Sequence, residues 1–262
     1  MKLSISNIAW EKKDNEKVYK LLKKYWFQWI EIAPTKVVED IENYNDSEIE
    51  KFNIQINNYW LKTVAMQSLI YWKPDLKLFS TPEELICYLE KVIQIWSKVW
   101  AKSLIFWSPK NRIFENITKE EAIEKAKLFF QKIWDIAKIY NLNICIEANP
   151  EIYWWNFMCN TEETLDLVKK INHENIKLHL DLWTIIANNE DPIIIKKSIP
   201  FITHFHISEP YLNLIKDREL HYLAVKMLNN YKWYCSIEMK NTSLDNIEKI
   251  LILVSKIYKD NA

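Results

Sequence analysis

Short apolar runs alternate with longer helix-like segments along the chain, and this alternation restricts the fold more than any other feature of the sequence. The runs are rich in β-branched and aromatic residues, which favour strands. Eight of them occur, at 3–6, 30–33, 62–66, 103–106, 143–148, 177–181, 202–207 and 235–239. The interval from one run to the next has the length of a strand followed by a crossover helix.

The segments between the runs carry the start signals of helices. The segment 81–98 opens with "STPEE", which combines a hydroxyl cap, a proline and acidic residues in the first turn. The segment 118–140 has the capping-box spacing from Thr118 to Glu121. Segments 160–170 and 241–258 repeat the pattern. Eight strand–helix units predict an α/β fold, a (β/α)8 TIM barrel forming one domain over residues 1–262; a doubly wound open sheet is the alternative.

Four polar residues lie at or near the ends of four successive predicted strands: Glu147, Asp181, His206 and Glu238. In a barrel, the carboxyl ends of the strands form the face that holds active sites. Three carboxylates buried together without a counter-charge would cost several kcal/mol each, and a divalent cation removes that cost. Three carboxylates and one imidazole suit Mn²⁺, Mg²⁺ or Co²⁺, and Zn²⁺ is a further option.

The charge balance excludes several classes of partner. The chain has 35 basic and 35 acidic residues, so its formal net charge is zero and favours neither nucleic acid nor a membrane surface. Its four cysteines contain no CxxC pair and are expected to be reduced core thiols. No apolar run reaches the length of a membrane span, and the sequence lacks a signal-peptide pattern. We therefore expect a cytoplasmic protein with a small-molecule partner; a homo-oligomer remains open.

Other polar residues end or follow predicted strands, where substrate hydroxyls would be bound. For each of them a solvated loop position, or for the histidines a core position, is at least as good an interpretation. The substrate-binding candidates are Gln67, Ser108, Arg112, Asn149, His179, Glu209, His221 and Lys240, with Glu31, Lys110 and Ser208 as weaker ones. Lys110 and Arg112 could bind a phosphate group.

Seven short motifs occur in a characteristic order: "SNIAW", "IEIAPT", "FWSPKNR", "IEANP", "HLDLWT", "HFHISEP" and "SIEMK". Together they resemble the sugar phosphate isomerase/epimerase family, the xylose isomerase-like TIM barrels. The resemblance implies one divalent metal bound by Glu147, Asp181, His206 and Glu238. It also implies that Glu147 and Glu238 act as the catalytic acid/base pair of a sugar or sugar-phosphate isomerase or epimerase, working through an enediolate.

The chain departs from the best-known ketose 3-epimerases of that family at two positions. They carry a substrate-binding His three residues after the metal-binding Asp, where this chain has Thr184, and an Arg six residues after the metal-binding His, where it has Leu212. A metal-dependent lyase resembling inosose dehydratases and a non-catalytic metal-binding barrel therefore stay open. An abasic-site endonuclease of the related barrel type needs many His ligands and a basic face, which five histidines and zero net charge argue against.

The composition contains no glycine and 13 tryptophans. Members of the resembled family would have Gly at many of the Trp positions: 26, 29, 60, 72, 96, 100, 107, 134, 154, 183 and 233. Trp10 fits its motif as Trp, and Trp155 is ambiguous. Helices commonly end in a left-handed residue that is usually Gly, so we expect Trp26, Trp60 or Trp183 at positive φ, or large indoles exposed at helix ends. The hypothesis is that UGA codons of this gene specify glycine; the alternative is an authentic tryptophan-rich chain.

Overall fold

The computed structural model describes residues 1–70, 72–106, 108–150, 152, 155–229 and 231–259. Eight parallel strands follow one another round a closed ring in chain order, and the first strand pairs with the last. The strands are β1 Lys2–Ser6, β2 Trp29–Ile32, β3 Lys62–Met66, β4 Ser103–Phe106, β5 Asn143–Glu147, β6 Ile176–Asp181, β7 Ile202–Ser208 and β8 Tyr234–Glu238. The prediction of a (β/α)8 barrel is confirmed.

Helices connect the strands and surround the ring. They are α1 Asn15–Lys24, α2 Asp46–Asn57, α3 Pro82–Ser97, α4 Lys119–Ile139, α5 Thr161–Ile171, α6 Leu182–Ala187, α7 Ile193–Ser198, α8 Glu219–Met227 and α9 Leu244–Tyr258. The capping box from Thr118 to Glu121 is formed at the start of α4, where each side chain accepts a hydrogen bond from the other residue's backbone N–H. Within the described ranges, no helix has the length and apolarity needed to cross a membrane.

The strands are buried on both sides, which explains their nearly continuous apolar runs. Every residue of β4 and β7 is buried. One set of side chains fills the interior of the ring and the alternate set packs against the helices, as in other barrels of this type. Consequently a polar residue on a strand either lies inside the ring or stands at its rim, and both positions require partners.

The register of the last four strands brings the polar strand ends together. Asp181 on β6 stands directly beside His206 on β7, and Ser208 on β7 stands beside Glu238 on β8. Glu147 on β5 is level with His179 on β6, which lies two residues before Asp181. The four predicted ligands therefore occupy one edge of the ring, at its carboxyl end.

Among the tryptophans that the structure describes, three have left-handed backbone conformations just after helices. Trp26, Trp60 and Trp100 have φ of 61°, 63° and 63°, and their side chains are 80%, 77% and 74% exposed. At the corresponding end of α4 the left-handed residue is Asn141, with φ of 54°. The expectation for Trp26 and Trp60 is met. It is wrong for Trp183, which lies inside α6 and is buried, while positions 107 and 154 lie outside the described residues.

Candidate metal centre

The carboxyl ends of β5 to β8 hold a compact cluster of ligand-type side chains. Glu147, Asp181 and His206 each offer one ligand atom, and these atoms lie within 4.8 Å of one another. Glu238 adjoins the cluster, because its Oε2 lies 3.2 Å from Nδ1 of His206. All four side chains are buried. The structure thus brings together the four residues predicted as metal ligands.

The backbone around the cluster is held by specific hydrogen bonds. Arg112, which is fully buried, donates from Nη1 to the carbonyl oxygen of Glu147 at 2.7 Å. Asp181 accepts a hydrogen bond from the backbone N–H of Trp183 at 3.0 Å and so caps α6, and it accepts another from the hydroxyl of Ser208. These bonds fix the end of β5 and the first turn after β6, so the positions of Glu147 and Asp181 are set by their own neighbours.

His206 is placed between two carboxylates on opposite sides of its ring. Its Nε2 lies 3.0 and 3.1 Å from the two carboxylate oxygens of Glu31. Its Nδ1 is fully buried and lies 3.2 Å from Oε2 of Glu238. A buried ring nitrogen that faces several carboxylates is the arrangement expected for a metal ligand. The donor set therefore fits a divalent cation.

The electrostatics of the cluster support the same conclusion. Burial, together with the charge of Asp181, raises the pKa of Glu147 well above its usual range. Burial and the nearby Glu238 raise the pKa of Asp181 to about 6. Burial lowers the pKa of His206, but the carboxylates of Glu238 and Glu31 outweigh it and raise that pKa overall. Carboxylates held this close repel one another unless a proton or a cation lies among them.

A cavity of about 230 Å³ adjoins the cluster. Asp181 and Glu238 form part of its wall, and Gln67 faces them from the end of β3, held by a 2.8 Å hydrogen bond from Nε2 to Ser6 Oγ. The indoles of Trp72 and Trp183 also line this space. Lys36, which was not predicted, lines the same wall and donates to the carbonyl oxygen of Trp10 at 2.9 Å. The cavity is large enough for a small polar molecule next to the carboxylates.

Two further histidines lie deeper in the ring. His179 and His204 are buried, their rings are stacked with centroids 5.1 Å apart, and their Nδ1 atoms are 3.4 Å apart. Burial lowers the pKa of both, that of His204 to about 4, so both are neutral imidazoles near neutral pH. His179, which was predicted to contact the substrate, instead packs its ring against those of His204 and His206 below the cluster.

The remaining substrate-binding candidates fall into three sets, the first of which is Asn149, Arg112 and Ser108. Asn149 and Arg112 both donate to the carbonyl of Glu147, and Ser108 is buried before the short helix Pro109–Asn111. Outside this group, Lys240 is exposed and donates to Asn213 at 3.1 Å.

Glu209 and His221 form a separate network. Glu209 binds Arg218 through two hydrogen bonds of 3.1 and 2.6 Å, and His221 lies 3.4 Å from Glu209 and 2.9 Å from the hydroxyl of Tyr258. Burial raises the pKa of Glu209, but the hydrogen bonds from His221 and Arg218 outweigh it and lower that pKa to about 2. In this conformation both side chains are engaged within the protein, connecting β7 to α8 and α9.

The sequence interpretation underrated Glu31. It ranked this residue among weak substrate contacts, whereas the structure buries it completely against His206. The available signal was a single carboxylate inside the apolar strand "WIEI". A charged residue in the interior of a barrel strand requires a partner, but the partner lies on β7 and no spacing rule identifies it.

Comparison with known proteins agrees with the fold. The family model described as xylose isomerase-like TIM barrel matches residues 19–247. No curated protein matches the sequence.

Solved structures match across the whole chain at low sequence identity. A D-psicose 3-epimerase from Clostridium cellulolyticum H10, solved with D-tagatose, has a TM-score of 0.81 at 14% identity, covering 99% of both chains. The 3-keto-D-glucoside 4-epimerase YcjR from E. coli has a TM-score of 0.77 at 13% identity, again covering 99% of both chains. The IOLI protein with a bound zinc atom has a TM-score of 0.75 at 17% identity, covering 100% of this chain and 99% of that one. At such identities the likeness shows the fold alone.

Proposed function

Because this chain belongs to the xylose isomerase-like TIM barrel family, we propose that it is a divalent-metal-dependent isomerase or epimerase of a sugar or sugar phosphate. The observation that carries the proposal is the buried set of Glu147, Asp181, His206 and Glu238, in which Nδ1 of His206 faces the carboxylates. Structures similar in fold include a D-psicose 3-epimerase and a 3-keto-D-glucoside 4-epimerase, and this likeness supports the proposal of a sugar substrate.

The four ligands would hold Mn²⁺, Mg²⁺ or Co²⁺, with Zn²⁺ as a further option. Oxygen-rich sets with one imidazole suit these ions. When bound, the ion supplies a Lewis acid that makes the hydrogen next to a substrate carbonyl more acidic and stabilises the resulting enediolate. The protein contributes a closed, buried setting in which that charge is poorly screened by water.

Two carboxylates of the cluster are available for proton transfer. Glu147 ends β5 and Glu238 ends β8, three strands further round the ring, so the two can flank a substrate held between them. One glutamate removes the proton from the carbon next to the carbonyl. If the other returns a proton to the opposite face of that carbon, the product is an epimer. If a proton returns to the adjacent carbon, the product is the aldose–ketose isomer.

The cavity wall bears on the substrate class. Gln67 can exchange hydrogen bonds with sugar hydroxyls, because its amide has both donors and acceptors. Lys36 supplies a cation on the same wall, in reach of a phosphate or a terminal hydroxyl. Arg112, by contrast, is fully buried behind Glu147, and a substrate phosphate would have to displace its present contact to reach it. Lys36 also has present contacts, since its Nζ donates to the carbonyl oxygen of Trp10 at 2.9 Å and lies 3.8 Å from Glu11. Unlike Arg112, however, it is partly exposed, so we propose it as the phosphate-binding residue if the substrate is phosphorylated.

The test is solvent deuterium incorporation. The metal-loaded protein in D₂O should exchange the hydrogen next to the carbonyl of a ketose or aldose substrate, and should convert that substrate to its isomer or epimer. Glu147→Gln and Glu238→Gln should each lower kcat at least about 100-fold, the lower end of general-base contributions, with metal occupancy checked for each variant.

Glu190→Gln provides a matched control, because Glu190 also accepts hydrogen bonds, from Thr161 and Asn188, but lies outside the cluster. A fully active Glu147→Gln, or metal-loaded protein without exchange or turnover on a panel of sugars and sugar phosphates, would refute the proposal. Loss of water from the substrate after exchange would instead identify a lyase.

A further inference from the structure

We infer that Glu31 is a positioning residue, whose carboxylate holds His206 in the tautomer and orientation that leave Nδ1 free to bind the metal ion. The inference rests on the proposed metal-dependent function. It adds to the centre a residue of β2, which stands three strands beyond β7 round the ring.

The contact between the two side chains is close and symmetric. Both carboxylate oxygens of Glu31 lie within 3.1 Å of His206 Nε2, and both residues are fully buried. The opposite ring nitrogen, Nδ1, is the atom that faces Glu238 in the cluster. A neutral imidazole carries one proton, so it can bind a metal through Nδ1 only if Nε2 keeps the hydrogen. A carboxylate at Nε2 accepts that hydrogen and favours this tautomer.

In the described part of the chain, the buried carboxylate of Glu31 faces imidazoles. Its ion-pair contacts there are two imidazoles, His206 at 3.0 Å and His204 at 3.9 Å, and include no Lys or Arg. Removing an unpaired carboxylate from water is costly. A buried carboxylate whose ionic partners are imidazoles is best explained by the orientation it gives to His206.

Replacing Glu31 by glutamine tests the inference without changing the size of the side chain. The amide can present an N–H to Nε2 of His206, which would move the imidazole proton to Nδ1, the nitrogen that faces the cluster. We expect Glu31→Gln to weaken Zn²⁺ binding by about 10- to 100-fold in competition with a chromophoric chelator. Glu190→Gln should bind Zn²⁺ as the unmodified protein does.

The ¹⁵N shifts of the His206 ring supply the second readout, which a merely structural role would not change. In the Zn²⁺-loaded protein the proton should be on Nε2. Finding the proton on Nδ1 would overturn the inference, and so would unchanged Zn²⁺ affinity in a folded Glu31→Gln variant. The first result can be obtained even if Glu31→Gln proves unstable, because the tautomer is measured in the unmodified protein. Absence of any Zn²⁺, Mn²⁺ or Mg²⁺ binding by the unmodified protein would instead overturn the proposed function and the inference with it.

A second inference concerns three of the tryptophans and rests on backbone conformation. We propose that positions 26, 60 and 100 are glycine in the protein made by its own cell, with UGA codons specifying that glycine. All three residues adopt φ of 61–63°, a conformation that a Cβ atom disfavours and that Gly adopts freely. Their indoles are 74–80% exposed, so packing does not compensate for the conformation.

At two of the three positions, 26 and 60, the hydrogen bonds are those of a glycine helix end. Beyond α1, the backbone N–H of Phe27 donates to Leu22 O at 2.9 Å, and beyond α2, that of Leu61 donates to Ile56 O at 3.1 Å. These are the six-to-one bonds that close a helix when the preceding residue is left-handed. Beyond α4 the same bond follows Asn141, a residue type that tolerates this conformation.

Two buried tryptophans, Trp10 and Trp96, differ in whether the indole N–H has a hydrogen-bond acceptor. Trp10 has an extended backbone, is buried, and donates from Nε1 to Asn15 Oδ1 at 2.8 Å. Trp96 is also buried, but its indole N–H has no hydrogen-bond acceptor, and buried indole N–H groups usually have one. Codon 10 should therefore be UGG, whereas codons 26, 60 and 100 should be UGA.

Reading the gene and the native peptides tests this proposal. Tandem mass spectrometry of protein purified from its own cells should show glycine at positions 26, 60 and 100 and tryptophan at position 10. UGG codons at the three positions, or tryptophan in the native peptides, would overturn the proposal.

Discussion

Replacing Trp26, Trp60 and Trp100 together by glycine should stabilise a recombinant protein that has tryptophan at all three positions. Large-to-Gly replacements usually destabilise a protein, because they remove packing and loosen the unfolded chain. At these positions the first loss is small, since the three indoles are 74–80% exposed. The second is outweighed by relief of the left-handed backbone, whose φ of 61–63° costs a residue with a Cβ atom about 1–2 kcal/mol.

The net effect follows from these two opposing terms. The greater freedom of glycine in the unfolded chain reduces this gain in the free energy of unfolding by about 0.4–1 kcal/mol per position. The gain is then about 0.5–1 kcal/mol at each position, or about 2 kcal/mol for the three if their effects add. For a chain of this size, each kcal/mol moves Tm by about 2–4 °C. The triple variant should unfold about 4–8 °C higher.

Thermal and urea unfolding followed by far-UV circular dichroism would measure the change. Asn141→Gly is the matched control at a helix end that already has a tolerated residue, and its stability should differ little. Trp10→Gly is the opposite control and should lose about 3–5 kcal/mol, the usual cost of truncating a buried aromatic. A triple variant less stable than the parent by 1 kcal/mol or more would refute the reasoning that the backbone at these positions is strained.

Three other predictions concern the centre and the network beside it. Zn²⁺ affinity should fall as pH drops below 6, by about tenfold per pH unit for each proton that the metal displaces. The reason is that Asp181 has a pKa of about 6 and the pKa of Glu147 is raised. Calorimetry in two buffers should detect the protons released on Zn²⁺ binding. Removing the metal with EDTA should lower Tm, and Zn²⁺ at 100 times its Kd should restore about 2.7 kcal/mol; an unchanged Tm would contradict a metal held only by the folded chain. Glu209→Gln should destabilise the protein by about 1–3 kcal/mol while leaving Zn²⁺ affinity unchanged. The pKa of Glu209 lies at about 2, below its ordinary 4.5, so the stability that its carboxylate contributes is present above pH 4.5 and is lost as pH falls towards 2. The free energies of unfolding of the variant and the parent should therefore become equal in acid.

The fold could be predicted because its signals are local. Strands buried on both sides produce continuous apolar runs, and the capping box from Thr118 to Glu121 marks the start of α4 whatever the rest of the chain does. Boundaries shifted slightly where local signals are weak: β2 begins at Trp29 and ends at Ile32, one residue earlier than the predicted run at each end.

The convergence of Glu147, Asp181, His206 and Glu238, the four candidate ligands, could be predicted because parallel strands in one ring end on the same face. The partners of those ligands could not, because they depend on contacts between residues far apart in the chain. Glu31 meets His206 across 175 positions, and the sequence gives no register between β2 and β7. Similarly, His221 is directed at Tyr258 by the packing of α8 against α9, which period-two and helical patterns do not specify.

Because β1 pairs with β8, the ring can close only after the last strand has left the ribosome. Until then β1 and β7 have unpaired edges, which are prone to pair with other chains. Strand β8 also carries Glu238, so a nascent or truncated chain without β8 lacks this candidate ligand as well as the closing strand. A chain without β8 therefore has neither the closed ring nor the Glu238 carboxylate that faces His206.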